Sequence, residues 1–62
     1  MMLKEFLDKP GFSFARRLSV TTDYYTFTSE VKALRAFYGH YTVVEFHVPA
    51  GSTMIDSIVI AK

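Results

Sequence analysis

The first residues of the chain repeat apolar side chains at helical spacing. On a helix, the apolar and the charged residues of this segment would lie on opposite sides. The apolar side carries Leu3, Phe6 and Leu7, and the charged side carries Lys4, Glu5 and Asp8. Pro10 and Gly11 follow, and proline cannot continue a helix while glycine readily turns the chain. The pattern therefore predicts a short helix over Leu3–Asp8. A helix below about 12 residues is marginal in water, so we expect it to dock on the rest of the domain.

The period then changes to two. Between Phe12 and Val20 one face carries Phe12, Phe14, Arg16, Leu18 and Val20, which predicts a β-strand. The next stretch, Thr21–Phe27, is rich in β-branched and aromatic residues, and Asp23 either turns a hairpin or only interrupts the strand. The sequence leaves open whether Thr21–Phe27 pairs as a separate strand.

Helical periodicity returns from Thr28 or Ser29. The predicted apolar face of this main helix is Val31, Leu34, Phe37 and Tyr38. A hydroxyl at Thr28 or Ser29 is expected to cap its first amides. Gly39 is expected to end the helix in a left-handed conformation.

The chain closes with a predicted hairpin. His40–Val48 alternates between two faces, one with Thr42, Val44, Phe46 and Val48 and the other with Tyr41, Val43, Glu45 and His47. We expect Val44 and Phe46 to be buried in the core. Residues 49–52 have turn chemistry, and the strand Thr53–Ala61 follows. The expected fold is α+β: a small antiparallel or mixed sheet of three to four strands, with the main helix on one face and the short N-terminal helix beside it.

Composition limits what this fold can do. The 62 residues form a single domain, 1–62, which is too small for a two-domain cleft enzyme and leaves little stability for a strained catalytic site. We therefore expect no enzymatic activity and no cofactor. The net charge of +1 gives no general attraction to phosphate, so nucleic-acid binding is disfavoured. No cysteine, long apolar run or secretory signal is present, and the pattern is that of a cytoplasmic protein without a membrane span.

Polar residues of the last hairpin are the first candidates for chemistry. Glu45 and His47 share a predicted face, and Arg16 or Arg17 could join them from a neighbouring strand to hold an anion or act as an acid–base pair. The alternative is a polar side of the sheet that faces solvent. His40 and His47 fall on opposite predicted faces, which argues against a shared metal site.

Tyrosine is abundant for so short a chain. Its apolar body and polar tip suit interfaces, although the same rings can complete a small core. The predicted partner-binding residues are Tyr41, Val43, Glu45, His47, Arg17, Tyr24 and Tyr25.

Three segments together resemble the middle of an ADP-ribosyltransferase domain. They are Leu18–Asp23, Glu30–Gly39 and Tyr41–Ser52, which are similar to that family's Ser-Thr-Ser strand, its E-V-A-x-x-F-x-G helix and its strand ending in V-P-x-G-T. Ser19 and Thr21 are the only positions onto which the family's motif maps, and the resemblance implies at most a contact of these two residues with a nicotinamide ribose. It also implies a catalytically incomplete remnant or a complementing piece, because the family's catalytic glutamate lies on a later strand.

The leading expectation is a non-enzymatic protein-binding module: an accessory protein, regulator or inhibitor that engages a larger partner through an open sheet face or edge strand. Viral and mobile-element accessory proteins often have this build. If Ile58–Ile60 forms a sheet edge, we expect homodimers by edge pairing. The alternatives are a truncated ADP-ribosyltransferase-like fragment that binds NAD, and a weak single-stranded nucleic-acid binder using Arg16, Arg17, Lys32 and Arg35.

Overall fold

The computed structural model describes all 62 residues as one α+β domain, which confirms the predicted fold class. Neither helix combines the length and apolar character needed to cross a membrane. The elements, in chain order, are α1 (Leu3–Asp8), β1 (Ser13–Thr21), β2 (Thr26–Ser29), α2 (Val31–Tyr38), β3 (Thr42–His47) and β4 (Met54–Ala61).

The four strands form one mixed sheet in the order β2-β1-β4-β3. The central pair, β1 and β4, is parallel, and each pairs with its hairpin partner in antiparallel fashion. The condition for homodimers through Ile58–Ile60, an edge position, is therefore not met, because β4 lies between β1 and β3. In this central strand Ile55, Ile58 and Ile60 are all buried in the core cluster. The edges are β2 and β3.

Both helices cover the same face of the sheet. One cluster of nine buried residues joins them to the central strands: Leu3, Phe6, Leu7, Leu18, Val20, Leu34, Ile55, Ile58 and Ile60. The other face is open and carries mostly small or hydroxyl side chains. Across it, Thr28, Ser19, Ser57 and His47 form one row from β2 to β3.

Helix α1 depends on the loop between α2 and β3 for its first hydrogen bonds. The Leu3 amide donates to the Tyr41 carbonyl at 2.7 Å, and the Lys4 amide donates to the Gly39 carbonyl at 3.0 Å. No side chain caps this end, so these carbonyls satisfy amides that a six-residue helix cannot satisfy itself. The predicted docking of α1 is confirmed.

Helix α2 differs from its prediction at both ends. Thr28 and Ser29 belong to β2, Glu30 precedes the helix, and no side chain caps it. Gly39 keeps a right-handed conformation with φ −57°. Glycine is required there for space, because a Cβ atom would lie 2.7 Å from the Arg35 carbonyl oxygen and 3.2 Å from the Lys4 Cβ.

Phe37 also departs from its predicted position, since it is 72% exposed. A helix turns about 100° per residue, so a residue six positions after Val31 points about 120° away from it. Leu34 is buried, and Val31 and Tyr38 are half-buried. The buried stripe of α2 therefore omits Phe37.

Each of the two hairpins contains a hydrogen-bonded turn between its strands. Between β1 and β2, the Thr22 hydroxyl oxygen accepts the amides of Tyr24 and Tyr25, which resolves the Thr21–Phe27 stretch as a hairpin. Between β3 and β4, the Ser52 amide donates to the Pro49 carbonyl at 3.0 Å, and Gly51 has φ +80°, as a type II turn requires.

Candidate functional site

One extra residue in β3 changes which of its side chains face the helices. Val43 lies opposite Ile60 and Glu45 lies opposite Val59, so two steps along β3 correspond to one step along β4. Val44 is the extra residue of a β-bulge. The predicted alternation is therefore wrong beyond Val43, which shares the helix-covered side with Phe46, while Glu45 and His47 lie on the open side.

The outer edge of β3 is only half covered. Met2 bridges Thr42 in antiparallel fashion, and the Val43 amide donates to the Met1 carbonyl at 2.9 Å. No backbone hydrogen bond joins the outer edge to another element beyond Val43. The main chain from Val44 to Val48 is left open to a further strand.

An apolar groove of about 480 Å³ runs between this open edge and the N-terminal segment. It is lined by Met1, Phe6, Lys9, Phe12, Val43, Val44, Glu45 and Phe46. Three rings pack together along it: the centroid of Phe6 lies 4.9 Å from Phe12 and 5.3 Å from Phe46. A Phe46 side chain 45% exposed and a Val44 side chain 60% exposed make the groove accessible from solvent. We call these eight residues the β3 groove.

The expected burial of Val44 and Phe46 is therefore wrong. The bulge points Val44 away from the core, and Phe46 leans on Phe6 and Phe12 at the margin of the sheet instead of entering its centre. Strict alternation would place both residues on one face with Thr42 and Val48, and the bulge breaks that alternation. A bulge leaves no mark in an alternating pattern of this length.

The predicted cluster of Glu45, His47 and arginine does not form. His47 Nδ1 lies 3.1 Å from Asp56 Oδ1, and Glu45 has no ion pair. Arg17 lines a separate groove of about 480 Å³ against α2, beside Lys32 and Phe37. Because β4 lies between β1 and β3, an arginine of β1 is not on a strand next to Glu45.

The tyrosines gather at the opposite end of the sheet. Tyr24, Tyr25 and Tyr41 line a small pocket of about 70 Å³ beside Ile60 and Lys62. Tyr24 is 90% exposed at the tip of the hairpin turn. Rings run on from Tyr25 through Phe27 and Tyr38 to Tyr41, with centroid separations of 5.1 to 5.5 Å. The structure thus separates the predicted binding residues into the tyrosine group, the β3 strand and Arg17 beside α2.

One tyrosine in that series has an altered acidity. The hydroxyl oxygens of Tyr25 and Tyr38 lie 3.3 Å apart. This hydrogen bond, with a smaller contribution from loss of solvent, raises the pKa of Tyr38 above its ordinary value of 10.0. Tyr38 therefore stays a neutral hydroxyl near neutral pH.

The two positions singled out by the family resemblance lie on the open face. Ser19 is exposed between Thr28 and Ser57, and the Thr21 hydroxyl lies 3.2 Å from that of Thr26. None of the three surface pockets includes Ser19 or Thr21. Comparison with protein-family models, with curated proteins and with solved structures finds no match to this chain.

Sequence reasoning missed the main part of the groove. Met1, Phe6, Lys9 and Phe12 come from the N-terminal segment, whose pattern predicts a docked helix and the start of a strand but no site. A signal was present, because the large rings of Phe6 and Phe12 lie only six residues apart on either side of the Pro10–Gly11 turn. Both rings line the groove.

Proposed function

We propose that this chain is a non-enzymatic protein-binding module that receives an extended segment of a larger protein on the open edge of β3. The observation that carries the proposal is the outer edge of Val44–Val48, which no hydrogen bond to another element covers and which lies directly beside the β3 groove. In strand addition, main-chain hydrogen bonds supply affinity and side-chain pockets supply specificity. Both parts are next to each other here.

The covered half of the same edge supports this use. Met1–Leu3 already pairs with Tyr41–Val43 through two main-chain hydrogen bonds, of 2.7 and 2.9 Å. The outer side of β3 therefore accepts a strand as far as Val43, next to the bulge at Val44. An incoming segment would continue the pairing from the point where the N-terminal segment leaves the edge.

The volume and lining of the groove indicate which type of side chain it would bind from the incoming segment. Its volume of about 480 Å³ lies within the range of roughly 300–1,000 Å³ typical of ligand pockets. Its walls are aromatic and aliphatic, which favours a large apolar residue of the partner.

The net charge of +1 and the apolar walls predict binding that depends weakly on salt. This distinguishes the proposal from a nucleic-acid site, whose affinity falls steeply with salt. We place the protein in the cytoplasm, as an accessory protein, regulator or inhibitor of its partner, on the basis of its size and its lack of cysteine.

The test compares capture by three forms of the tagged protein from nuclease-treated lysate of its source cells. The wild type is set beside Val44→Lys, which places a charge on the open edge at a side chain that is mostly exposed. Tyr24→Lys adds the same charge at the distant hairpin tip and serves as the matched control. Circular dichroism checks that each variant is folded.

The expected result is one near-stoichiometric protein retained by the wild type and by Tyr24→Lys and lost with Val44→Lys. A protein lost only with Tyr24→Lys would move the site to the tyrosine pocket and contradict the proposal. An eluate without a stoichiometric protein, or one that disappears with nuclease, would also contradict it.

A further inference from the structure

The open edge of β3 is self-complementary. Two copies of Val44–Val48 laid antiparallel, with a two-fold axis at Phe46, place each residue opposite one of suitable chemistry. Phe46 then lies opposite its own copy, Val44 lies opposite Val48, and Glu45 lies opposite His47. We propose that, in the absence of a larger partner, two copies of this chain pair through β3 in this register.

The polar side chains favour this register over one centred on Glu45. Glu45 makes no ion pair within the chain, and His47 uses only Nδ1, toward Asp56. Both side chains lie on the open face of the sheet, where directly opposite residues on paired strands have Cβ atoms about 5 Å apart. A shift of the axis to Glu45 would instead bring two glutamates together, which is unfavourable.

Exposed apolar side chains supply the rest of the contact. Val44 is among the more exposed large apolar residues of the chain, and Val48 and Phe46 are also exposed. In the paired form, each Val44 meets Val48 of the second copy. The two Phe46 rings meet on the face that carries α1, next to the β3 groove. The polar four-residue edge of β2 offers no comparable set.

The size of the contact sets its strength. Five residues per copy bury less than the roughly 1,200 Å² at the lower limit of stable protein interfaces. The dimer is therefore expected to dissociate on dilution and to be populated at high micromolar concentration. It occupies the same main-chain groups as the proposed larger partner, so self-pairing would hold the edge closed until that partner displaces the second copy.

Cysteine cross-linking tests the register directly because the natural chain has no cysteine. In the proposed pairing, residue 45 of one copy lies opposite residue 47 of the other, at a Cα separation of about 5 Å that permits a disulfide. Two copies of residue 45, or two of residue 47, lie about 8 Å apart, beyond the range of a disulfide. The variants are Glu45→Cys and His47→Cys, both at exposed side chains.

The expected result is a disulfide-linked dimer when the two variants are mixed and oxidised at high micromolar concentration, and none from either variant alone. Thr28→Cys, on the exposed edge of β2, measures cross-linking by random collision. Cross-linking of Glu45→Cys with itself would overturn the register, and a mixture no more cross-linked than Thr28→Cys would overturn the dimer. Purified protein suffices, so this outcome is independent of whether a larger partner is captured.

Discussion

Val44 determines how the surface of this small domain is divided. As the extra residue of the bulge, it turns outward and reverses the orientation of the residues that follow it. Phe46 thereby joins Phe6 and Phe12 beside the groove, and Glu45 and His47 come to the open face. The bulge at Val44 therefore places Phe46 on the helix-covered face and the polar Glu45 and His47 on the open face, along the part of β3 whose outer edge is open.

Truncation of Val44 should cost little stability. Val44→Ala is expected to lower the free energy of unfolding by less than about 1 kcal/mol, because most of the side chain is already in solvent. Ile58→Ala, at a residue opposite Phe46 that is 1% exposed, should cost about 2–5 kcal/mol. Urea denaturation of both variants measures the difference. Equal losses would mean that Val44 is buried and that the bulge is absent.

Tyr38 makes stability depend on alkaline pH. The folded state holds the Tyr38 proton more tightly than the unfolded chain, because the pKa of Tyr38 is raised chiefly by its hydrogen bond with Tyr25. The resulting stabilisation is complete below the ordinary pKa of 10.0 and is lost as the pH rises through the raised value. Stability should therefore fall as the pH rises above about 10.

The cause of that shift can be checked by titration. Tyr25→Phe removes the hydrogen-bond partner, so the pKa of Tyr38 should move down toward its ordinary value in a tyrosinate absorbance titration. Tyr24→Phe, at the exposed hairpin tip, is the control and should leave the Tyr38 transition in place. An unchanged transition in Tyr25→Phe would show that another group holds the Tyr38 proton.

At the scale of elements, the contact between the two helices depends on the absence of a side chain at residue 39. Gly39 allows the end of α2 to approach Lys4, whose amide donates to the Gly39 carbonyl. Asp8 at the end of α1 pairs with Arg35 of α2, but both groups are exposed, so this ion pair adds about 1 kcal/mol at most. Close backbone packing, rather than charge, joins the helices.

Gly39→Ala should therefore be strongly destabilising, since residue 39 is buried. The added Cβ would lie 2.7 Å from the Arg35 carbonyl oxygen and 3.2 Å from the Lys4 Cβ, so both the end of α2 and the approach of α1 must adjust, at an expected cost of about 1–3 kcal/mol. His40→Ala, one residue later and exposed, should change stability by less than about 0.5 kcal/mol. Thermal denaturation compares the two. A Gly39→Ala variant as stable as His40→Ala would contradict the close approach.

At the scale of the whole molecule, the local sequence pattern predicts the helices and strands but not which strands lie next to each other in the sheet. Both helices, the closing hairpin and the α+β class follow from periodicity and turn residues. The central place of β4 does not, because its parallel pairing with β1 joins residues about forty apart in sequence. The groove was missed for a related reason: it combines the N-terminal segment with β3. Pairing across such distances is set by the whole core, which no local window contains.

The most direct test of the account is amide hydrogen exchange of the isolated protein and of its complex with the captured partner, followed residue by residue by NMR. In dilute isolated protein, the amides that point outward from Val44–Val48 should exchange rapidly, whereas the Val43 amide, bonded to Met1, should be protected. In the complex, Val44–Val48 should gain protection and Thr26–Ser29 on the opposite edge should not. Protection that instead appears on β2, with β3 unchanged, would contradict the assignment of the β3 edge as the binding surface.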